Sequence, residues 1–377
     1  MMLTEEQGMI RDMARSFARD RITPNAAEWE KNGLIPEATL REMGALGLMG
    51  MTVPADWDGA ETDYVSYALA LMEIAGGDGG LSTLMSVNNA PMCAAILANG
   101  TDAQKEEFLK PMARGDIIGA FCLTEPQAGS DASMLKTSAK RTNSGWRING
   151  TKQFITSGKI AGAAIIFAVT DPDAGKRGIS AFLVPTDTPG FRVASTEHKL
   201  GQKSSDTCQI VFEDMEVPTE YLLGVEGAGY KVALSNLETG RIGIAAQSVG
   251  MARAAYNYAL AYAKERVAFG KPIFEHQAVA FRLADMATQL EAAELLVLNA
   301  AAKKDAGEPC LKEACMAKLF ASEMAERVCS DAIQTLGGYG YLSEYPIEKI
   351  YRDVRVCQIY EGTSDIQRIV IAREIGR

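Results

Sequence analysis

The sequence predicts a multidomain α+β protein: an all-α segment first, an antiparallel β-barrel or sandwich in the middle, and a four-helix bundle at the end. Three observations predict it. The chain has 377 residues, beyond the roughly 250 to 300 at which one hydrophobic core stops growing. Apolar residues recur at helical spacing up to about Gly115 and again from about Gly227. Between those points they form short β-rich runs roughly 10 to 20 residues apart, with no helical stretch between them, which excludes the alternating strand and helix of a doubly wound sheet. The boundaries read as 1–118, 119–225 and 226–377.

Each element has its own justification. At the N-terminus Thr4 and Gln7 fit a helix capping box. Leu40, Met43 and Leu46, then Leu69 and Met72, trace helical faces punctuated by Pro36, Pro54 and Gly76-Gly77. The uncharged stretch from Gly79 to Thr101 is long enough to span a bilayer, but Asn88, Asn89 and Pro91 break its middle, so a buried helix pair is expected. From Trp146 to Thr156 apolar and polar residues alternate around Asn149-Gly150, a strong hairpin signal. Further runs cover Ala164 to Val169, Ser180 to Val184, Phe191 to Val193 and Gln209 to Phe212, and Pro218 is expected to close that domain. Beyond Gly227, Leu283, Met286, Leu290, Ala293 and Val297 lie along one face of a long helix of the bundle.

Composition narrows the function classes. Hydrophobic residues make up 47% and charged residues 23%, ordinary for a soluble globular protein, so no membrane partner is expected. A net charge of -10 and no basic stripe argue against nucleic acid. Seven cysteines, at 93, 122, 208, 310, 315, 329 and 357, never form a C-x-x-C and read as reduced cytoplasmic thiols. His198 and His276 do not cluster with them, so no metal is expected. The acidic start, Leu3-Thr4-Glu5-Glu6, does not read as a signal peptide. Neither a G-x-G-x-x-G after a strand nor a P-loop occurs, so a nucleotide cofactor would need another cradle.

One run concentrates chemistry. Ile359-Tyr360-Glu361-Gly362-Thr363-Ser364-Asp365-Ile366-Gln367-Arg368 holds a carboxylate beside a glycine, two hydroxyls and a cation. It resembles the C-terminal signature of the acyl-CoA dehydrogenases, flavoenzymes that abstract the α-proton of an acyl thioester and pass the β-hydrogen to flavin as hydride. A second run, Phe121-Cys122-Leu123-Thr124-Glu125-Pro126-Gln127-Ala128-Gly129-Ser130-Asp131, is similar to the family's flavin and thioester loop. A third, Phe154-Ile155-Thr156, stands at its aromatic-Ile-Thr element, with phenylalanine where tryptophan is usual. Glu265 to Lys271 with His276-Gln277, and Gln334 to Gly338, look like two segments that reach a neighbouring subunit's cofactor. The resemblance covers the whole chain.

It implies an acyl-CoA dehydrogenase-like fold, FAD as cofactor, and Glu361 as the base. A carboxylate suits that task because a weakly acidic α-proton calls for a base desolvated enough for its pKa to rise toward neutrality. The implied cofactor contacts are Phe121, Leu123, Thr124, Gly129, Ser130, Phe154, Ile155, Thr156, Arg266, Phe269, Gln277, Gln334, Gly337, Gly338, Thr363 and Asp365. Those to the acyl-CoA are Ser130, Glu238, Arg241, Gly362 and Arg373. As helix charges, Glu238, Arg241 and Arg373 could equally form ordinary salt bridges.

Relatives of the isovaleryl and long-chain types carry the base before an arginine on a bundle helix. Here Gly240 precedes Arg241, which matches the short- and medium-chain arrangement and leaves room near the thioester. The implied activity is dehydrogenation of a short- or medium-chain saturated acyl-CoA, in a homo-oligomer, a tetramer by family habit, with an electron-transfer flavoprotein as acceptor. The alternatives are an acyl-CoA oxidase and a flavin-bearing binding protein without turnover.

Overall fold

The computed structural model describes residues 2–376. The first part is helical: α1 (Glu5–Phe17), α2 (Ala26–Asn32), α3 (Glu37–Ala45), α4 (Tyr64–Gly77), α5 (Gly79–Val87), α6 (Ala94–Asn99), α7 (Asp102–Gln104) and α8 (Lys110–Ala113). The predicted capping box starts α1, with the Gln7 amide donating to Thr4 Oγ1 at 3.2 Å and the Thr4 amide donating to Gln7 Oε1 at 3.0 Å.

The expected break within Gly79–Asn99 is not a break between two helices. The chain stays helical and widens into a π turn at Asn88–Cys93, with Pro91 inside it. A π register relieves the missing proline N–H, and most of the stretch is buried inside the protein. The two asparagines serve as braces. Asn88 Nδ2 donates to the Met49 carbonyl at 2.9 Å while its Oδ1 accepts from the Gly119 amide at 3.1 Å. Asn89 ties Leu48 and Met51 in the same way.

The middle part is an eight-stranded sheet: β1 (Gly119–Cys122), β2 (Ser138–Arg141), β3 (Gly145–Thr156), β4 (Ala163–Val169), β5 (Ile179–Pro185), β6 (Phe191–Thr196), β7 (Thr207–Pro218) and β8 (Leu222–Leu223). Its order is β6-β7-β3-β2-β4-β5-β8, with β1 beside β4. Most pairs are antiparallel as expected, but β1 and β2 both run parallel to β4. Pro218 does not close the domain, since the chain returns as β8 against β5.

The Asn149-Gly150 turn is also corrected. These residues sit inside the continuous strand β3, where the register against β7 shifts between Ile148 and Gly150. Gly150 is there for close approach: a Cβ would overlap Thr137. Asn149 pairs instead with Asp214 through its side-chain amide.

The last part holds α9 (Gly229–Glu265), a small hairpin of β9 (Val267–Ala268) and β10 (Lys271–Pro272), α10 (Gln277–Asp305), α11 (Leu311–Leu336), α12 (Pro346–Val354) and α13 (Ser364–Ile375). Leu283, Met286, Leu290, Ala293 and Val297 are buried along α10 as its periodicity predicts. The first and last parts share one core, in which α1, α4, α5, α9, α10 and α11 all take part. The β part has its own, centred on Trp146 and Phe182 with ring centroids 5.5 Å apart. A buried trio joins the parts: Lys349 of α12 pairs with Asp78 at 2.9 Å and Asp353 at 2.6 Å, and Ser204 donates to Asp78 at 2.6 Å.

Candidate active site

Glu361 lies between α12 and α13, in a turn held from both sides. Before it, the Tyr360 hydroxyl donates to Gln247 Oε1 of α9 at 3.1 Å and meets Thr83 Oγ1 of α5 at 3.2 Å. After it, the Gly362 carbonyl accepts from Lys318 Nζ at 2.7 Å and Gln367 Nε2 at 2.8 Å. Glu361 has φ of 52° and Gly362 of 92°, so two successive residues take left-handed backbone, a costly choice for the glutamate.

The carboxylate is turned inward. Its Oε2 is shielded from solvent and has no hydrogen-bond partner among the described residues. Across from it, a Cβ on Gly240 of α9 would overlap that oxygen, so the space the sequence reading reserved for the thioester also accommodates the carboxylate itself. Burial pushes the carboxyl up to about 7, against the opposing pull of Lys318 and Arg241. Arg241, 6% exposed, also has a buried Nε without a partner. It is therefore not the surface charge it could have been. Glu238 and Arg373 do make ordinary pairs, with Lys304 at 3.0 Å and Glu374 at 3.1 Å.

The flavin-loop candidates come together with the aromatic element. Glu125 and Ala128 exchange backbone hydrogen bonds around Pro126, closing a tight turn. The carboxylate of Glu125 is buried and clamps the loop: it accepts from Lys152 Nζ at 2.8 Å, the Thr137 amide at 2.9 Å and the Lys136 amide at 2.6 Å. Burial pushes Glu125 up, but the Lys152 charge and these hydrogen bonds outweigh it and hold it at about 2. Gly129 and Ser130 stay exposed at the loop's end, and Phe121 packs on Phe167 at 4.9 Å.

The Gln153 amide donates to the Thr124 carbonyl at 2.8 Å, joining loop to strand. There β3 bulges, between Lys152 and Ile155, and Phe154 takes φ of 59° with 63% of its surface exposed. Ile155 points the other way, into the barrel core, so only its backbone is free for a cofactor, while Thr156 is half-buried.

A second locus forms at the far end of α11, about 24 Å along the helix from Lys318 at 1.5 Å per residue. Arg266, Gln334, Gly337 and Gly338 line one cleft of about 560 Å³ with Tyr262, Ile273 and Tyr339. Gly337 has φ of 62° and, like Gly338, an open face where a Cβ would meet nothing. Arg266 stacks over Tyr339 at 5.7 Å. Phe269 and Gly270, both at positive φ, form the tip of the β9-β10 hairpin, with Phe269 96% exposed. Gln277 is the exposed first residue of α10. Thr363 caps α13, its Oγ1 accepting from the Ile366 amide, and Asp365 lies exposed in the first turn beside Arg368.

The family patterns described as acyl-CoA dehydrogenase N-terminal, middle and C-terminal domains match residues 4–116, 120–215 and 227–376. The chain belongs to the acyl-CoA dehydrogenase family. Members are flavoproteins, oxidoreductases acting on CH–CH bonds. The short-chain specific acyl-CoA dehydrogenase, mitochondrial, of Rattus norvegicus is 46% identical, covering 100% of this chain and 91% of its own. Butyryl-CoA dehydrogenase from Megasphaera elsdenii superposes with a TM-score of 0.98 at 41% identity, over 100% of both chains. A chain from the work on the electron transferring flavoprotein of Acidaminococcus fermentans gives a TM-score of 0.98 at 44% identity, over 100% of this chain and 99% of its own.

Three buried residues, two at the Glu361 turn and one at the flavin-loop candidate, are not singled out by the sequence. Lys318 and Gln367 are buried against the turn, and Lys152 is buried against the flavin-loop candidate. For Lys318 a signal existed: a lysine inside the stripe Ala314, Ala317, Ala321 and Ala325 of an amphipathic helix breaks its pattern.

Proposed function

We propose that this acyl-CoA dehydrogenase acts on short-chain saturated acyl-CoA thioesters such as butyryl-CoA, with Glu361 as the base, FAD as cofactor and an electron-transfer flavoprotein as acceptor. The observation that carries the reading is the Glu361 carboxylate: its Oε2 is shielded and unpartnered, and it is held in a strained turn against the Gly240 gap. Structural carboxylates are paired when buried. An unpaired one whose burial brings it near neutrality is suited to taking a proton from carbon.

The residues present fit the cofactor. The loop at 121–130 and the exposed face of Phe154 offer the ring system backbone groups and a flat apolar surface. Arg266, with the open backbone of Gly337 and Gly338, offers a guanidinium and close approach to a pyrophosphate. Their distance from Glu361 supports the second locus serving a neighbouring subunit, hence a homo-oligomer. When bound, FAD accepts the β-hydrogen as hydride and passes the electrons on.

The chain's own part is the other half of the reaction. Glu361 takes the α-proton onto the carboxylate that faces Gly240. The Tyr360 and Gly362 anchors keep it from swinging away, and its inner oxygen is shielded from solvent. A cytoplasmic setting belongs to the same proposal, supported by seven free, buried cysteines. Anaerobic titration of the purified flavoprotein across a panel of acyl-CoA chain lengths tests the reading. Flavin bleaching is expected to be strongest with short chains and to be lost in Glu361→Gln. Unchanged bleaching in that variant removes the base, and bleaching by long chains alone removes the substrate class.

A further inference from the structure

Helix α11 faces the bundle interior with alanines and cysteines, and among them stands one fully buried lysine. Lys318 is 0% exposed, and its ammonium donates to a neutral partner, the Gly362 carbonyl, at 2.7 Å. Burying an ammonium is costly without a counter-ion. Burial pushes Lys318 down to about 8, with Cys357 and Glu361 pulling it back up. A side chain of the same length without charge would pack there at lower cost, so the position is not explained by stability.

Its partner explains it. The same carbonyl accepts from Gln367 Nε2 at 2.8 Å, and that amide also reaches the Glu361 carbonyl at 3.3 Å. Gln367 is likewise 0% exposed. One peptide oxygen is thus gripped by side chains from α11 and α13, and it belongs to the residue that follows the base. A glutamate in left-handed backbone relaxes unless its surroundings over-determine it. The two donors do so.

We propose that Lys318 and Gln367 are positioning residues for the base: by holding the Gly362 carbonyl from two helices they fix the left-handed Glu361-Gly362 turn and keep the carboxylate aimed at Gly240. Lys318 has a second effect through its charge, which favours the ionised form of Glu361. This rests on the reading of Glu361 as the base. The other titratable or charged groups around the pair are Arg241 on α9, Cys315 on α11 itself, Tyr67 on α4, Cys357 before the turn and Arg373 on α13.

The test separates proton abstraction from redox chemistry. An acyl-CoA analogue with sulfur in place of the β-carbon can lose its α-proton but has no β-hydrogen to give. Exchange of its α-hydrogen with D₂O, followed against pH, therefore reads the base alone. In Lys318→Met the exchange rate is expected to fall roughly 100-fold, and the rising limb of the pH profile to move up by about one unit. Lys318→Gln, which keeps a donor without the charge, should show the same displacement of the limb with a smaller loss of rate. Gln367→Leu should lose rate with the limb in place, because no charge has gone.

A general packing defect would not split rate from pH dependence in this way. If Lys318→Met does not fold, Lys318→Gln and Gln367→Leu carry the test. Wild-type rate and limb in the Lys318 variants, with Glu361→Gln silent, overturn the positioning role alone. Exchange persisting in Glu361→Gln overturns the base, and the positioning role with it.

Discussion

Gly240 and Glu361 share one space: a methyl group on the α-carbon of Gly240 would overlap Oε2 of the glutamate in the turn before α13. The glycine lies inside α9, where it costs about 1 kcal/mol relative to alanine in helix propensity. That cost is kept for the sake of a carboxylate. Gly240→Ala is therefore expected to leave the melting temperature unchanged or slightly higher, because the displaced atom is the free end of a flexible side chain. Turnover with butyryl-CoA should fall roughly 100-fold, the usual effect of moving a catalytic group by about an ångström. Steady-state kinetics beside a thermal melt would show it, and a fall in stability with turnover intact would contradict it.

The pH behaviour follows from the direction of the Glu361 shift. Burial raises its carboxyl to about 7, and the proposed base acts when ionised, so turnover should climb as pH rises through about 7. Stability runs the opposite way. A carboxyl raised in the fold favours the folded state below its ordinary range, and this contribution is lost as pH rises from there through about 7. At pH 8 the fold carries a buried anion, so Glu361→Gln should be more stable than wild type there, by about 1 to 3 kcal/mol. At pH 5 the gain should shrink. Melts of both proteins at the two pH values measure this, and an equal gain at both would rule out titration of Glu361 as the cause.

Glu125 and Lys152 titrate in the other direction. The carboxyl is held at about 2, so its contribution persists at neutral pH and is lost as pH falls from the ordinary carboxylate range toward that value. Lys152→Met leaves the buried Glu125 without its counter-charge, which costs about 3 to 5 kcal/mol. The loop at 121–130 loses its clamp at the same time, so flavin should wash out on gel filtration. The double variant Lys152→Met with Glu125→Gln should recover part of the stability, since no unpaired charge remains. If it is no more stable than the single variant, the pair is not what holds the loop.

How far these features were legible depends on what each residue answers to. The α, β, α order could be read because helical and short β-rich patterns alternate on the scale of whole domains. Glu361 could be read because its neighbours form a motif. Asn149-Gly150 misled because the glycine answers to Thr137 across the sheet, a contact that leaves no mark on local sequence. Lys318 is harder to read because a lysine is by default a surface residue; its place in an alanine stripe is the one sequence signal, and the fold shows what it holds, the Gly362 carbonyl. Glu238 and Arg241, three residues apart on one helix, looked alike. The fold gives the first an ordinary ion pair and leaves the second buried with an unpartnered nitrogen.

Arg266 and Glu361 sit at loci separated by most of the length of α11, and this yields a test that needs no coordinates. If one bound cofactor uses the Glu361 of one copy and the Arg266 cleft of its neighbour, each single variant disables a different half of every site. Arg266→Gln alone should bind flavin weakly, and Glu361→Gln alone should bind it and not turn over. When the two are unfolded together and reassembled, some sites receive an intact glutamate from one copy and an intact arginine from the other. Up to about a quarter of wild-type activity should return for random dimers, since each dimer has two sites, half of the dimers are mixed, and one site in each mixed dimer is intact. Recovery of activity above the sum of the parents establishes a shared site. No recovery, with mixed assembly verified by mass spectrometry, would place both residues at the same copy's cofactor.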